Sequence, residues 1–278
     1  MTNREAYLAV KRILTKAGKE SPAFDAACLC THFLGLDRPG LAVHGAEQAD
    51  NAPALLEAAR RRAAGEPLQY LVGKWGFLNL DLAVGPGVLC PRAETELLVR
   101  TAAAQLPPSA AVLDLCAGTG AVGLGVSSLR PDVRVTCGEK FDAAFAYLAK
   151  NCAAYPELGV TPCRLDAFSA ADAAAFGPLD GFLCNPPYVK SGEIPGLQQE
   201  VRQEPWTALD GGGDGLRFYR AIATLWLPRL APGGFAAVEI GEDQGPAVSA
   251  LFCAAGLSRV CVSQDLDGFD RVVCGVNK

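Results

Sequence analysis

Hydrophobic positions change their period along this chain, and the change divides it. Through the first 65 residues they recur at helical spacing. Tyr7, Leu8, Ile13 and Leu14 mark one stripe. Ser21-Pro22 reads as an N-cap followed by proline at the first helical position. Phe24, Ala27, Cys28, Thr31, His32 and Leu34 continue that stripe to Gly35. A third helix is predicted over 53–64, stopped by Gly65. Residues 1–65 therefore read as a small helical bundle, either a stabilising cap or a docking module for a macromolecular substrate. Residues 66–93 are punctuated by Gly and Pro and read as a linker, in which Trp75-Gly-Phe77 and Leu80-Asp-Leu82 predict a short hairpin.

From Glu94 onward, short apolar runs alternate with amphipathic stretches. Helices are predicted over 94–106, from Ala121, and over 142–153, 216–230 and 244–255. Strands are predicted over 111–115, 133–137, 160–165, 181–184, 235–240, 258–263 and 271–276. This alternation predicts an α/β domain over 94–278 with a doubly wound, mostly parallel, seven-stranded sheet. The last two strands follow each other without a helix, which predicts an antiparallel hairpin at the sheet edge.

Composition narrows the function classes. Half of the residues are hydrophobic and 20% are charged, which argues against disorder, collagen and coiled coil. Lys+Arg is 25 against Asp+Glu 30, a net charge of −5, so the chain has no global attraction for phosphate backbones and no nucleic-acid partner is expected. The 11 cysteines are odd in number and form no CxxC pair, which suits reduced thiols in the cytoplasm. Only two histidines occur, both near the N-terminus, so neither a metal site nor a Ser-His-Asp triad is expected. The opening residues lack a secretory pattern, and no apolar run approaches the ~18 residues of a membrane span.

Two motifs carry chemistry. The first runs from Val112 to Ala121. Asp114 lies within the predicted strand, and Cys116-Ala117-Gly118-Thr119-Gly120 forms a tight turn into a helix. This is the nucleotide position of a doubly wound sheet. Gly118, Gly120 and Gly123 also satisfy GxGxxG, so a nicotinamide dehydrogenase has to be weighed. A carboxylate at Asp114 favours S-adenosylmethionine, because it suits an ammonium and would repel a pyrophosphate. Glu139, ending the second strand, suits the ribose hydroxyls of either cofactor. Asp166-Ala167-Phe168 ends the third strand, with Phe168 available to an adenine. In the blander reading Asp114 caps a turn and Glu139 is solvated.

The second motif is Asn185-Pro186-Pro187-Tyr188, at the end of the fourth strand and beside the same crevice. The prolines fix φ and supply no N–H donors, so their carbonyls face the site as acceptors. The Asn185 side-chain carbonyl and the Pro186 carbonyl can each take one hydrogen of a planar NH2, with Tyr188 as a wall. A conjugated NH2 is a poor nucleophile. Orienting it in line with a methyl donor supplies up to ~7–11 kcal/mol of the barrier. Cys184 reads as strand packing rather than as a nucleophile.

Together these motifs resemble the class I, Rossmann-like amino-methyltransferases. Three further stretches are similar to the release factor glutamine methyltransferase family: Glu66–Tyr70 with Gly73–Phe77, Leu89–Glu96, and Glu200–Gly212 with Asp214–Tyr219. The match covers nearly the whole chain. It implies S-adenosylmethionine as donor, S-adenosylhomocysteine as product, and no metal. It also implies a protein substrate: the glutamine of the Gly-Gly-Gln motif in bacterial class 1 peptide chain release factors, docked in part by the N-terminal helices. Cofactor roles are implied for Ala117–Gly120, Glu139, Asp166–Phe168 and Asn185, and the amide would be held at Asn185–Tyr188. The chain departs from the family at Cys116, where Gly is usual and a positive φ would strain any other residue. It departs also at Glu139, where Asp is usual, and at Ala167, which is large in some members. Pro91–Glu96 reads equally as a segment closing over the cofactor and substrate or as a helix start. Trp206 and the loop at Gly211 are candidates for gating. The rival functions are glutamine methylation of a ribosomal protein and, more distantly, amino-methylation of DNA or RNA, a nicotinamide dehydrogenase, or a non-catalytic binding module.

Overall fold

The computed structural model describes all 278 residues. The chain forms two compact units, Met1–Lys74 with Gln198–Gln203, and Trp75–Leu197 with Glu204–Lys278. It thus passes between them at three points, after residues 74, 197 and 203. No helix is long and apolar enough to cross a membrane.

The first unit holds five helices: α1 (Asn3–Lys16), α2 (Pro22–Leu34), α3 (Arg38–Val43), α4 (Ala52–Ala63) and α5 (Leu68–Val72). α1 starts at a capping box, with the Thr2 hydroxyl accepting from Glu5 N–H and the Glu5 carboxylate from Thr2 N–H. Its apolar stripe (Ala6, Val10 and Leu14) is buried, as are Leu29 of α2 and Leu55 of α4. Buried among these helices, Arg62 donates to Asp25 at 2.7 Å and to Glu200 at 3.0 and 3.2 Å. Lys19 reaches Glu200 at 3.2 Å. The segment 198–203 is therefore stapled into the helical unit by paired charges. α3 and α5 were not expected; at six and five residues they are too short to show a period.

In the second unit the predicted hairpin forms as β1 (Lys74–Phe77) and β2 (Leu80–Ala83). Then come α6 (Thr95–Gln105), β3 (Ala111–Leu115), α7 (Ala121–Leu129), β4 (Arg134–Glu139), α8 (Asp142–Ala154), β5 (Thr161–Arg164), α9 (Ala170–Ala174) and β6 (Leu179–Cys184). α10 (Trp206–Leu209), α11 (Arg217–Ala221), β7 (Leu230–Glu239), α12 (Gly245–Ala254), β8 (Leu257–Gln264) and β9 (Asp270–Asn277) complete it. The seven-stranded sheet has the order β5-β4-β3-β6-β7-β9-β8. Only β9 runs against the others, pairing with both β7 and β8. The edge hairpin is therefore present, with β8 outermost.

Each face of the sheet carries its own core. Val112 of β3 packs into one with Leu98, Leu124 and Leu148, and Leu113 and Leu115 into the other with Trp226 and Phe252. Side chains alternate across a strand, so Asp114 faces the same side as Val112, toward α7. The strand order reverses between β3 and β6, and a doubly wound sheet opens its crevice there, beyond the carboxyl ends of the strands. The predicted helix over 216–230 is not uniform. After α11 it widens into a π-turn, Ile222–Trp226, and tightens into a 3-10 turn, Leu227–Arg229. Pro228 explains the change, because it has no N–H and its ring crowds the carbonyl one turn back.

Candidate active site

The glycine turn leaves β3 with three residues at positive φ: Cys116 (+60°), Gly118 (+56°) and Gly120 (+83°). Two of them are glycine, which adopts this conformation freely; Cys116 is strained there by about 1–2 kcal/mol. Asp114 is 1% exposed. Its Oδ2 accepts the Gly123 N–H at 2.9 Å, satisfying a donor that the first turn of α7 leaves open. Its Oδ1 has no partner. Burial pushes the Asp114 carboxyl up to about 7, against the opposing bond from Gly123.

Glu139 ends β4 and is buried. One oxygen accepts from Gly118 N–H at 3.1 Å and the other from Phe141 N–H at 2.8 Å. Burial raises its pKa, and those two bonds work the other way. A carboxylate has about four acceptor sites, so Glu139 still has acceptor capacity. Beyond β5, Asp166 accepts from Phe168 N–H at 3.0 Å and pairs with Lys140 at 2.8 Å. The Phe168 ring lies 4.8 Å from that of Phe218, with the Arg217 guanidinium 4.6 Å from its centre.

These groups line one pocket. Asp114, Cys116–Thr119, Glu139, Asp166–Phe168, Asn185 and Pro187 all reach it. Of the predicted residues, Gly120, Pro186 and Tyr188 are not among its lining. Gly120 instead shapes the turn, since a Cβ there would come 2.8 Å from Leu148 Cδ1. Pro186 is buried. The Tyr188 ring packs on the second core, and burial raises its phenol well above the ordinary value. Cys184 is fully buried and its thiol is pushed far up by desolvation, which leaves it no nucleophilic character.

Several residues at the site carried no sequence signal of their own. Thr95, the first residue of α6, is buried and accepts the Asn185 Nδ2 hydrogen at 3.2 Å. Arg92 lines the pocket and pairs with the buried Glu204 at 2.5 Å, while Glu204 also takes the Cys90 N–H at 3.0 Å. Leu89–Arg92 therefore walls the pocket, and α6 starts just after it. Opposite, Pro205, Thr207 and Ala208 line the pocket, whereas Trp206 is 50% exposed. Behind Tyr188, Gln244 donates to the Tyr188 carbonyl at 3.0 Å and accepts from Gly241 N–H at 2.9 Å. Gly211 backs the same turn, where a Cβ would meet Tyr188 Cα at 2.8 Å. The segment Glu239–Gln244 following an apolar strand was the available clue to that support.

Two family models match the chain, the PrmC N-terminal domain over residues 5–73 and the methyltransferase small domain over 80–216. A solved methyltransferase from Pyrococcus furiosus superposes with a TM-score of 0.52 at 16% identity, covering 72% of this chain and 89% of that one. The 16S rRNA N2 G1207 methyltransferase of T. thermophilus, solved with AdoMet and guanosine, gives 0.51 at 18%, covering 74% and 50%. Sheet order, glycine turn and pocket together define a class I methyltransferase. Among curated relatives, the release factor glutamine methyltransferase of Cereibacter sphaeroides is 40% identical over 98% of each chain. That of Geobacter sulfurreducens is 37% identical over 94% of this chain and 92% of its own. The chain belongs to the release factor glutamine methyltransferase family.

Proposed function

We propose that this chain methylates the side-chain amide nitrogen of the Gly-Gly-Gln glutamine in class 1 peptide chain release factors, in the cytoplasm. The observation that carries this reading is the Asn185 carboxamide. It lies on the pocket wall with its Nδ2 turned to Thr95, which leaves Oδ1 as an acceptor for a substrate N–H.

The pocket fits S-adenosylmethionine on its own chemistry. An unpartnered buried oxygen, Asp114 Oδ1, suits the ammonium of the amino-acid end. Glu139 has acceptor sites left for the ribose hydroxyls, and Phe168 offers a ring face to an adenine. When bound, S-adenosylmethionine supplies an electrophilic methyl group on a sulfonium. The chain's own part is to align the nucleophile. Asn185 Oδ1 takes an amide hydrogen, which directs the nitrogen lone pair at the donor. Leu89–Arg92, Pro205, Thr207 and Ala208 wall the pocket. Residues 1–65 are assigned to docking of the release factor, and neither nucleic acid nor membrane is required.

The test is incubation of recombinant release factor with methyl-labelled cofactor and mass mapping of the product. Label on the Gly-Gly-Gln glutamine is expected; label on a ribosomal protein or on nucleic acid alone would replace the substrate. N185A is expected to abolish transfer while cofactor binding, followed by calorimetry, persists.

A further inference from the structure

A carboxylate is buried directly behind Asn185, and the reaction as described leaves it idle. Glu239 ends β7 and is 2% exposed, with Oε2 unpartnered. β6 and β7 run parallel with Cys184 opposite Val238, so the next residues along, Asn185 and Glu239, are neighbours at the sheet's carboxyl edge. Thr95 completes the group: its hydroxyl accepts from Asn185 Nδ2 at 3.2 Å, and Thr95 and Asn185 both favour the charged form of the Glu239 carboxylate.

The roles follow from donor counting. A hydroxyl has one hydrogen, and one that accepts from an amide is free to donate it onward. An ionised carboxylate only accepts. The Asn185 Nδ2 to Thr95 bond thus leaves the Thr95 hydrogen for an acceptor, and the buried Glu239 carboxylate, with Oε2 unpartnered, is the acceptor-only group beside it. An asparagine amide has nearly the same shape either way round. Reversed, it would present two donors to the two donors of a substrate NH2. We propose that Glu239, acting through Thr95, is a positioning residue that holds the Asn185 carboxamide with its nitrogen inward and its oxygen toward the substrate amide. This deepens the functional reading above and rests on it.

The arrangement is sensitive to pH. Burial pushes Glu239 up to about 7; Thr95 and Arg271 of β9 favour its charge, and Glu94 before α6 opposes it. Tyr188 after β6 and Tyr219 of α11 face it as neutral phenols whose pKa values are raised by burial. Once protonated, Glu239 becomes a donor and no longer sets the direction of the bonds. Turnover at saturating release factor is therefore expected to rise through about pH 7.

The experiment compares kcat, KM and pH profile for the full-length wild type, E239Q, T95S and T95V, with cofactor binding as the check on folding. E239Q is expected to lower kcat by about tenfold, as a lost buried charge-assisted bond would, and to remove the step near neutral pH. T95S, which keeps the hydroxyl, should retain most of the rate. T95V should behave like E239Q, and this pair decides the matter if E239Q does not fold. An active wild type with E239Q unchanged in kcat and pH profile, or T95V equal to T95S, overturns the proposal alone. A wild type that binds cofactor but leaves the release factor unlabelled overturns the substrate reading and this positioning role together.

Discussion

Asp114 meets two demands that pull in opposite directions. Sealed under α7, its charge is compensated at only one oxygen. Its pKa of about 7 in the fold exceeds the ordinary 3.8, so the folded state binds more protons than the unfolded one between those values. This carboxyl therefore subtracts stability as pH rises from about 4 to 7, and subtracts it fully above. D114N is expected to raise the melting temperature at pH 8, to change it little at pH 4, and to weaken cofactor binding. A lower melting temperature at pH 8 would show that the negative oxygen is compensated after all. Cys116 poses the reverse question. Its φ of +60° is strained by about 1–2 kcal/mol, and glycine loses about 0.5–1 kcal/mol of that gain to its freedom in the unfolded chain. C116G is expected to raise the urea midpoint slightly; a fall would mean that the thiol's packing on the second core outweighs the strain.

At the scale of elements, α7 sits on the sheet at a distance that only small residues allow. A Cβ on Gly123 would stand 2.2 Å from Cys137 Sγ and 3.2 Å from Asp114 Oδ2. G123A should destabilise the chain by about 1–3 kcal/mol in urea unfolding, through overpacking. G177A, which has nothing within 4 Å of the added carbon, should be neutral. The strands and helices that build the crevice were legible because their signals are local: apolar runs, glycines at a turn, prolines after a strand. Both motif ends come to one pocket on that basis alone. Thr95, Glu239 and Gln244 were not legible in the same way, since their partners lie across the fold, with 90 residues between Thr95 and Asn185 and 56 between Tyr188 and Gln244. Tyr188 was expected as a wall and packs on the core instead, because the apolar surface behind it is contributed by distant elements. The short α9 and α10 fall below the length at which a period can be read.

For the molecule as a whole, the cluster around Arg62 is decisive for the helical unit. Burial works against the charge of Glu200, but Arg62 and Lys19 hold its carboxyl below the usual range. The stability this supplies is present above the unfolded pKa and is lost as pH falls through the lower folded value. R62M leaves Asp25 without its bond partner and strips Glu200 of one cation, so it is expected to cost about 3–5 kcal/mol at pH 7 and to flatten the acid side of the stability curve. A variant as stable as the parent would mean that water, not Arg62, satisfies these carboxylates. Sequence reading drew the helical region as one continuous N-terminal stretch. It could not see the excursion of 198–203, because nothing near those residues announces a partner 138 positions earlier. That excursion governs how such enzymes can be recombined. A chimera made by grafting the first 74 residues onto a foreign catalytic half would separate Lys19 and Arg62 from their acidic counterpart. The graft has to carry the six-residue insert with it, so the helical unit is inherited as two fragments of the gene rather than one.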